Sequence, residues 1–118
     1  ALLESPAMGA KVVEPNRLQI LRFCEQDPVE RVFLEDMARR GLGRFVAVGA
    51  RGELDALCHV GVNAVPSGTG CDVFAREVAR SAPRMLIGEA NAVSELWEAG
   101  RRRFLRPRAD RPRKPVSV

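Results

Sequence analysis

Leu54-Asp55-Ala56-Leu57-Cys58-His59-Val60-Gly61-Val62-Asn63-Ala64-Val65 breaks at Pro66-Ser67-Gly68-Thr69-Gly70 and resumes as Cys71-Asp72-Val73-Phe74-Ala75-Arg76-Glu77-Val78-Ala79-Arg80. The fold is decided by how this stretch is read. In its first part Leu54, Ala56, Cys58, Val60, Val62 and Ala64 form a uniformly apolar face. The other face mixes Asp55, His59, Gly61 and Asn63 with Leu57 and Val65, the period of two of a strand with one well-buried face. In its last part Cys71, Phe74, Ala75 and Val78 fall at i, i+3, i+4 and i+7, one stripe of a helix. Pro66 lacks the N–H a ladder needs, and two glycines permit a sharp turn. Thr69 with Asp72 three residues on reads as a capping box.

A strand, a Gly-x-Gly turn and a helix start place the backbone N–H groups of Gly68, Thr69, Gly70 and Cys71 where they can face an anion such as a phosphate. The same words also describe a plain tight connection. They are not a P-loop, since no Gly-Lys-Ser/Thr follows, and they lack the third glycine of a dinucleotide fingerprint.

Outward from this centre, the 118 residues hold 46% hydrophobic and 29% charged side chains, the composition of one globular domain. No apolar run reaches the ~20 residues of a membrane helix, so no membrane partner is expected. The start Ala1-Leu2-Leu3-Glu4-Ser5-Pro6 has neither the basic nor the apolar region of a signal peptide. Cys24, Cys58 and Cys71 are odd in number and lie in apolar patterns. They read as buried free thiols in a reducing cytoplasm. One histidine and no Cys-x-x-Cys spacing argue against a metal. Of the net +4, residues 101–118 carry +7, so the body is acidic at −3.

Residues 1–9 read as a flexible N-terminal segment, 10–105 as the domain and 106–118 as a basic Pro/Arg-rich tail with an edge strand at Val116–Val118. Ala10–Val13 reads as a first strand. Asn16–Gln26 reads as a helix with Leu18, Ile20, Leu21, Phe23 and Cys24 along its stripe. Asp27, Pro28 and Glu30 make a helix start, with Val29, Val32, Phe33 and Met37 turned inward and Arg39-Arg40-Gly41 at its end. Arg44–Val48 is a strand, and Gly49-Ala50-Arg51-Gly52 a hairpin turn. Pro83 ends the helix that follows Gly70. Met85-Leu86-Ile87 reads as a buried central strand. Val93, Leu96, Trp97 and Phe104 line a last helix. The resulting class is α/β, layered in the α+β manner, with a mixed sheet and helices on both faces in the order β-α-α-β-β-α-β-α-(β).

That order is similar to the Gcn5-related N-acetyltransferase (GNAT) fold. The local words resemble the domain of unknown function that precedes the catalytic domain in many high-GC bacterial GNAT enzymes. They are Asp27-Pro28-Val29 with Val32-Phe33, Ala56 to Asn63, Ile87-Gly88-Glu89-Ala90-Asn91-Ala92-Val93 with Leu96-Trp97, and Arg111-Pro112-Arg113-Lys114-Pro115. The resemblance implies acetyl-CoA as the ligand of the Gly68–Cys71 turn, and a catalytic GNAT domain or a second copy as the partner. Gly68 and Gly70 fall on the cofactor pattern Gln/Arg-x-x-Gly-x-Gly/Ala, but Val65 stands where a polar or basic side chain belongs. The tyrosine many relatives use as general acid has no counterpart, as the chain contains no tyrosine.

His59 is the candidate general base, since an ordinary pKa near 6.5 suits deprotonation of an amine. Its plain alternative is a packed or solvent-facing strand residue. Asp55 and Glu89 are lesser candidates. Cys58 and Cys71 lack a partner base, and Trp97 reads as core. The expectation is a degenerate, non-catalytic accessory domain of an acetyl-CoA-dependent N-acetyltransferase. The alternative is a minimal acetyltransferase. Nucleic-acid contact through the arginine-rich tail is the weakest reading, because few aromatic residues interleave its cations.

Overall fold

A computed structural model describes residues 11–50 and 52–105. The segment 1–9, the tail 106–118, its edge strand and the Arg111–Pro115 motif lie outside them, as do Ala10 and Arg51. Among the described residues eight elements follow in chain order: α1 (Arg17–Glu25), α2 (Val32–Arg40), β1 (Arg44–Ala50), β2 (Glu53–Val60), β3 (Ala64–Gly68), a 3-10 turn (Cys71–Phe74), α3 (Ala75–Ser81) and α4 (Ala90–Leu105). The fold is mixed α+β. Its sheet is a three-stranded antiparallel meander, β1-β2-β3.

The stretch read as one strand from Leu54 to Val65 is two. Gly61-Val62-Asn63 forms a hairpin loop that pairs Val60 with Ala64, and it leaves Val62 exposed. Pro66-Ser67-Gly68, read as the break, belongs to β3 and pairs with Cys58, Leu57 and Ala56. On the other side Val48 pairs with Ala56 and Gly49 with Leu54, so Asp55 is an extra residue, a β-bulge. The bulge reverses side-chain parity. Ala56, Cys58 and Val60 face one side of the sheet, while Leu54 joins Leu57 on the other.

Helices cover both faces. Cys71, Phe74, Ala75 and Val78 pack with Ala92 and Leu96 against Val46, Val48, Ala56, Cys58 and Val60. Ile20, Phe23, Cys24, Leu34 and Ala38 pack against Ala47, Leu54, Leu57 and Val65. Leu96, Leu57, Phe74 and Val78 are fully buried, each stabilising by roughly 1.5–3 kcal/mol.

The α1 start is a full capping box: Asn16 Oδ1 accepts from Gln19 N–H at 2.8 Å and Gln19 Oε1 from Asn16 N–H at 3.0 Å. Its buried stripe is Ile20, Phe23 and Cys24, with Leu18 outside. Before α2, Asp27 caps Glu30 N–H at 3.4 Å, but regular helix begins only at Val32. α2 is rolled relative to expectation. Arg31, Leu34 and Ala38 face inward, and Val29, Val32 and Phe33 are exposed. Gly41 caps its end as its sequence implied, its N–H reaching the Ala38 carbonyl at 3.2 Å.

Two expected strands shrink to single bridges. Val13 exchanges both backbone bonds with Ala47, each 2.8 Å, at the outer edge of β1. Leu86 forms one parallel bridge to Ala64, and Met85 and Ile87 are exposed, so this segment is an edge and not a buried central strand. Trp97 is half-buried and stacks on Phe104 with centroids 5.9 Å apart, outside the core cluster that holds Leu96.

Candidate functional site

β3 leaves the sheet at Gly68 and the chain turns through Thr69 and Gly70 into the 3-10 turn, so the strand–turn–helix path stands with its turn shifted toward Thr69. Gly68 has φ 94° and Gly70 φ 98°, a backbone region costly for other residues. A Cβ at Gly68 would also collide with the Asp55 carbonyl oxygen, whereas Gly70 has open space around it and is required for its φ alone.

The structure brings together all four residues expected to hold an anion, and each of their N–H groups already has an acceptor. Gly68 N–H donates to Glu89 Oε1 at 3.2 Å. Thr69 N–H donates to the carbonyl of the bulged Asp55 at 3.0 Å. Gly70 and Cys71 N–H both donate to Glu95 Oε1, at 3.0 and 3.1 Å. The expected Thr69–Asp72 capping box does not form, and the 3-10 turn has no side-chain cap. A carboxylate from α4 takes the place of the cap. Charged acceptors on backbone donors make strong bonds, worth about 1.5–3 kcal/mol each.

Behind the turn lies a polar cluster in which Glu89, a lesser candidate on sequence grounds, meets Arg31 and Ser67, which no sequence motif singled out. Arg31 Nε donates to Ser67 Oγ at 2.8 Å and lies 3.3 Å from Glu89 Oε2; Nη1 donates to the Phe23 carbonyl at 2.8 Å. Its guanidinium stacks 3.8 Å from the Phe23 ring centroid. The Ser67 hydroxyl donates to Glu89 Oε2. Burial, the largest influence on the Glu89 carboxyl, pushes its pKa up. The bonds from Ser67, the Gly68 N–H and Arg31, with the Arg31 charge, outweigh it and hold the pKa below the usual carboxylate value. One signal did exist: Arg31, Leu34 and Ala38 lie at i, i+3 and i+7, so an arginine shares the buried stripe of α2.

His59 is not part of this assembly. It pairs with Val65 while Gly68 pairs with Ala56, three residues or about 10 Å along the ladder. Its Nε2 lies 2.9 Å from the Leu42 carbonyl, and its buried Nδ1 has no partner among the described residues. Phe33 and Phe45 meet its ring edge-on, at 5.7 and 5.0 Å. Asp55 enters through its carbonyl, with its side chain exposed.

Burial pushes the Cys71 thiol up to about 12, with Cys58, Glu95 and Glu89 adding to the effect; it pushes Cys58 to about 12 and Cys24 to about 11. None is a thiolate near neutral pH, which removes them as nucleophiles. Among the described residues no group of three or more His, Cys, Asp or Glu side chains is placed to hold a metal, and no helix is long and apolar enough to cross a membrane.

A cleft of about 430 Å³ lies beside the turn, lined by Phe23, Gln26, Arg31, Asp55, Gly68 and Thr69. A second, about 580 Å³, lies along the last turns of α4 among Glu98, Arg101, Arg102 and Arg103, all exposed.

A family model described as Domain of unknown function (DUF4081) matches residues 43–118, from the residue before β1 through α4 and onward. No curated protein and no solved structure matches the chain.

Proposed function

The chain belongs to the DUF4081 family, and from that premise we propose that it is a degenerate, non-catalytic GNAT-like accessory domain of an acetyl-CoA-dependent N-acetyltransferase, packing against a catalytic GNAT domain or a second copy. One observation carries the reading: Gly68, Thr69, Gly70 and Cys71 spend their N–H groups on Glu89, Asp55 and Glu95.

A pyrophosphate entering this turn has to displace Glu95 and forfeit two charge-assisted bonds. If Glu95 stays close, two negative charges about 4 Å apart oppose each other by roughly 4 kcal/mol at the effective dielectric of a protein surface. Val65, buried in β3, supplies no compensating charge. The residues present therefore do not fit acetyl-CoA in the usual manner. The absence of tyrosine and the distance of His59 from the turn point the same way.

The minimal-acetyltransferase reading has one feature in its favour, the cleft of about 430 Å³ beside Gly68 and Thr69. Calorimetric titration with acetyl-CoA separates the two. The accessory reading expects no heat of binding up to millimolar ligand. Micromolar binding that Gly70→Asp abolishes would overturn it.

A further inference from the structure

The apolar side chains left outside α2 form a stripe. Val29, in the turn ahead of the helix, is 85% exposed; Val32 and Phe33 are 62% and 46% exposed. They stand at i, i+3 and i+4. The turn already follows the helical step, with Arg31 N–H on the Asp27 carbonyl at 3.0 Å and Glu35 N–H on the Arg31 carbonyl at 3.0 Å. Leu42, just past the helix, is also exposed. The inward face of α2 is a different one, Arg31, Leu34 and Ala38; Phe33 turns one ring edge to His59 and leaves the rest of its surface beside Val29 and Val32, which the core clusters of the described residues do not include. Contiguous apolar surface of this kind marks a place where another surface packs.

The charges along the stripe identify what packs there. Asp27 and Glu30 stand at its start, Arg39 and Arg40 at its end, with Glu35–Arg39 and Asp36–Arg40 pairs at 2.9 and 3.4 Å between. A surface acidic at one end and basic at the other is complementary to itself when turned end for end. Two such helices laid antiparallel set each acidic end beside the other's basic end, twice by symmetry; laid parallel, they oppose like charges.

We propose that this stripe is a self-association surface, where a second copy of the chain packs its α2 antiparallel about a two-fold axis. Val29, Val32 and Phe33 of each copy form the apolar centre, and the two charge gradients fix the direction. From Val29 to Arg40 the contact spans only about 16 Å at 1.5 Å per residue. A contact of that length is small beside the roughly 800 Å² per partner of a standard interface, so the dimer is expected to be weak. The inference rests on the second-copy arm of the proposed function but not on acetyl-CoA binding, so sedimentation and calorimetry fail separately.

Sedimentation velocity on the full chain, from about 1 µM to about 500 µM at low salt, tests it. The expected result is a concentration-dependent monomer–dimer equilibrium, and a monomer throughout for Val32→Glu or Phe33→Glu. Both substitutions are at exposed positions, and unchanged circular dichroism verifies the fold. Arg39→Glu/Arg40→Glu makes the stripe wholly acidic and Glu30→Lys/Asp36→Lys shifts it to basic. Each alone weakens self-association at least tenfold, and an equimolar mixture restores a heterodimer. Wild-type chain that stays monomeric at every concentration overturns the proposal and gives the stripe to a partner of different sequence. So does a dimer indifferent to the stripe substitutions, or a charge-swapped mixture that stays apart.

Discussion

The two helical layers that sandwich the sheet are built to different standards. The layer of α3 and α4 closes its account internally: Phe74, Val78 and Leu96 are fully buried, and Glu89 and Glu95 satisfy the turn where β3 gives way to helix. The layer of α1 and α2 buries Phe23 and Leu34 but leaves Val29, Val32 and Phe33 in solvent and turns an arginine inward. The family match, residues 43–118, contains the sheet and the closed layer and excludes the open one. The lesson is that, among the described residues, one helical layer buries its large apolar side chains while the other leaves a stripe of them exposed, the stripe proposed above as a self-association surface.

Large-to-small substitutions should break the symmetry of the layers most visibly. Phe74→Ala, in the closed layer, should lower unfolding free energy by about 3–5 kcal/mol in urea denaturation. Phe33→Ala, the same change on the open face, should cost less than about 1 kcal/mol. Similar losses at both sites would erase the distinction.

The Arg31 cluster bridges the layers. Arg31→Ala removes the cation beside the Glu89 carboxylate, whose side chain is 21% exposed and which keeps only its bonds from Ser67 and the Gly68 N–H, and should cost about 3 kcal/mol. Arg31→Met with Glu89→Gln should recover part of that loss, because no uncompensated charge then remains. If the single and double variants are equally stable, the pair is not coupled.

Acid titration sharpens the same point. The folded pKa of Glu89 is lowered, so its contribution to stability is present above the ordinary value near 4.5 and is lost as pH falls through the folded pKa. Glu89→Gln should therefore flatten the acid limb of the stability curve below about pH 4.5. For the thiols the sign is opposite. Their folded pKa values, about 11 to 12 against 9.0, make stability decline as pH rises above 9. A thiol reagent near neutral pH should label all three cysteines only after unfolding.

The smallest effect concerns α3, which ends at Ala82 with φ 50°, a left-handed conformation held by bonds to the Ala79 and Val78 carbonyls. Ala82→Gly should relieve the strain and stabilise by about 0.5–1 kcal/mol, read as a rise in melting temperature.

The closed layer was legible in the sequence because its stripe, Cys71, Phe74, Ala75 and Val78, is interrupted by polar residues at helical spacing, and the structure buries all four. The helix stops at Gly41 and before Pro83 were legible for equally local reasons. The hairpin at Gly61-Val62-Asn63 was not. The period of two runs on through the loop, because Val62 keeps the apolar beat of Val60 and Ala64 although it is exposed, and Gly61 and Asn63 fall on the mixed face. Twelve residues is long for a strand, and that was the available warning. The roll of α2 was hidden because Val29, Val32 and Phe33 are the more apolar face, while the buried face carries Arg31. The role of Glu95 was illegible, since pairing it with Gly70 and Cys71 is a tertiary contact of sequence separation 25 and 24.

The central claim, that the turn's amides are held by the chain's own carboxylates, is tested most directly by backbone amide NMR of Gly68, Thr69, Gly70 and Cys71 during titration with acetyl-CoA, in wild type and Glu95→Ala. The account predicts slow hydrogen exchange at Gly70 and Cys71 in wild type, faster exchange in Glu95→Ala, and no shift of the four wild-type resonances with ligand. Saturable ligand-dependent shifts of those amides in the wild-type protein would contradict it.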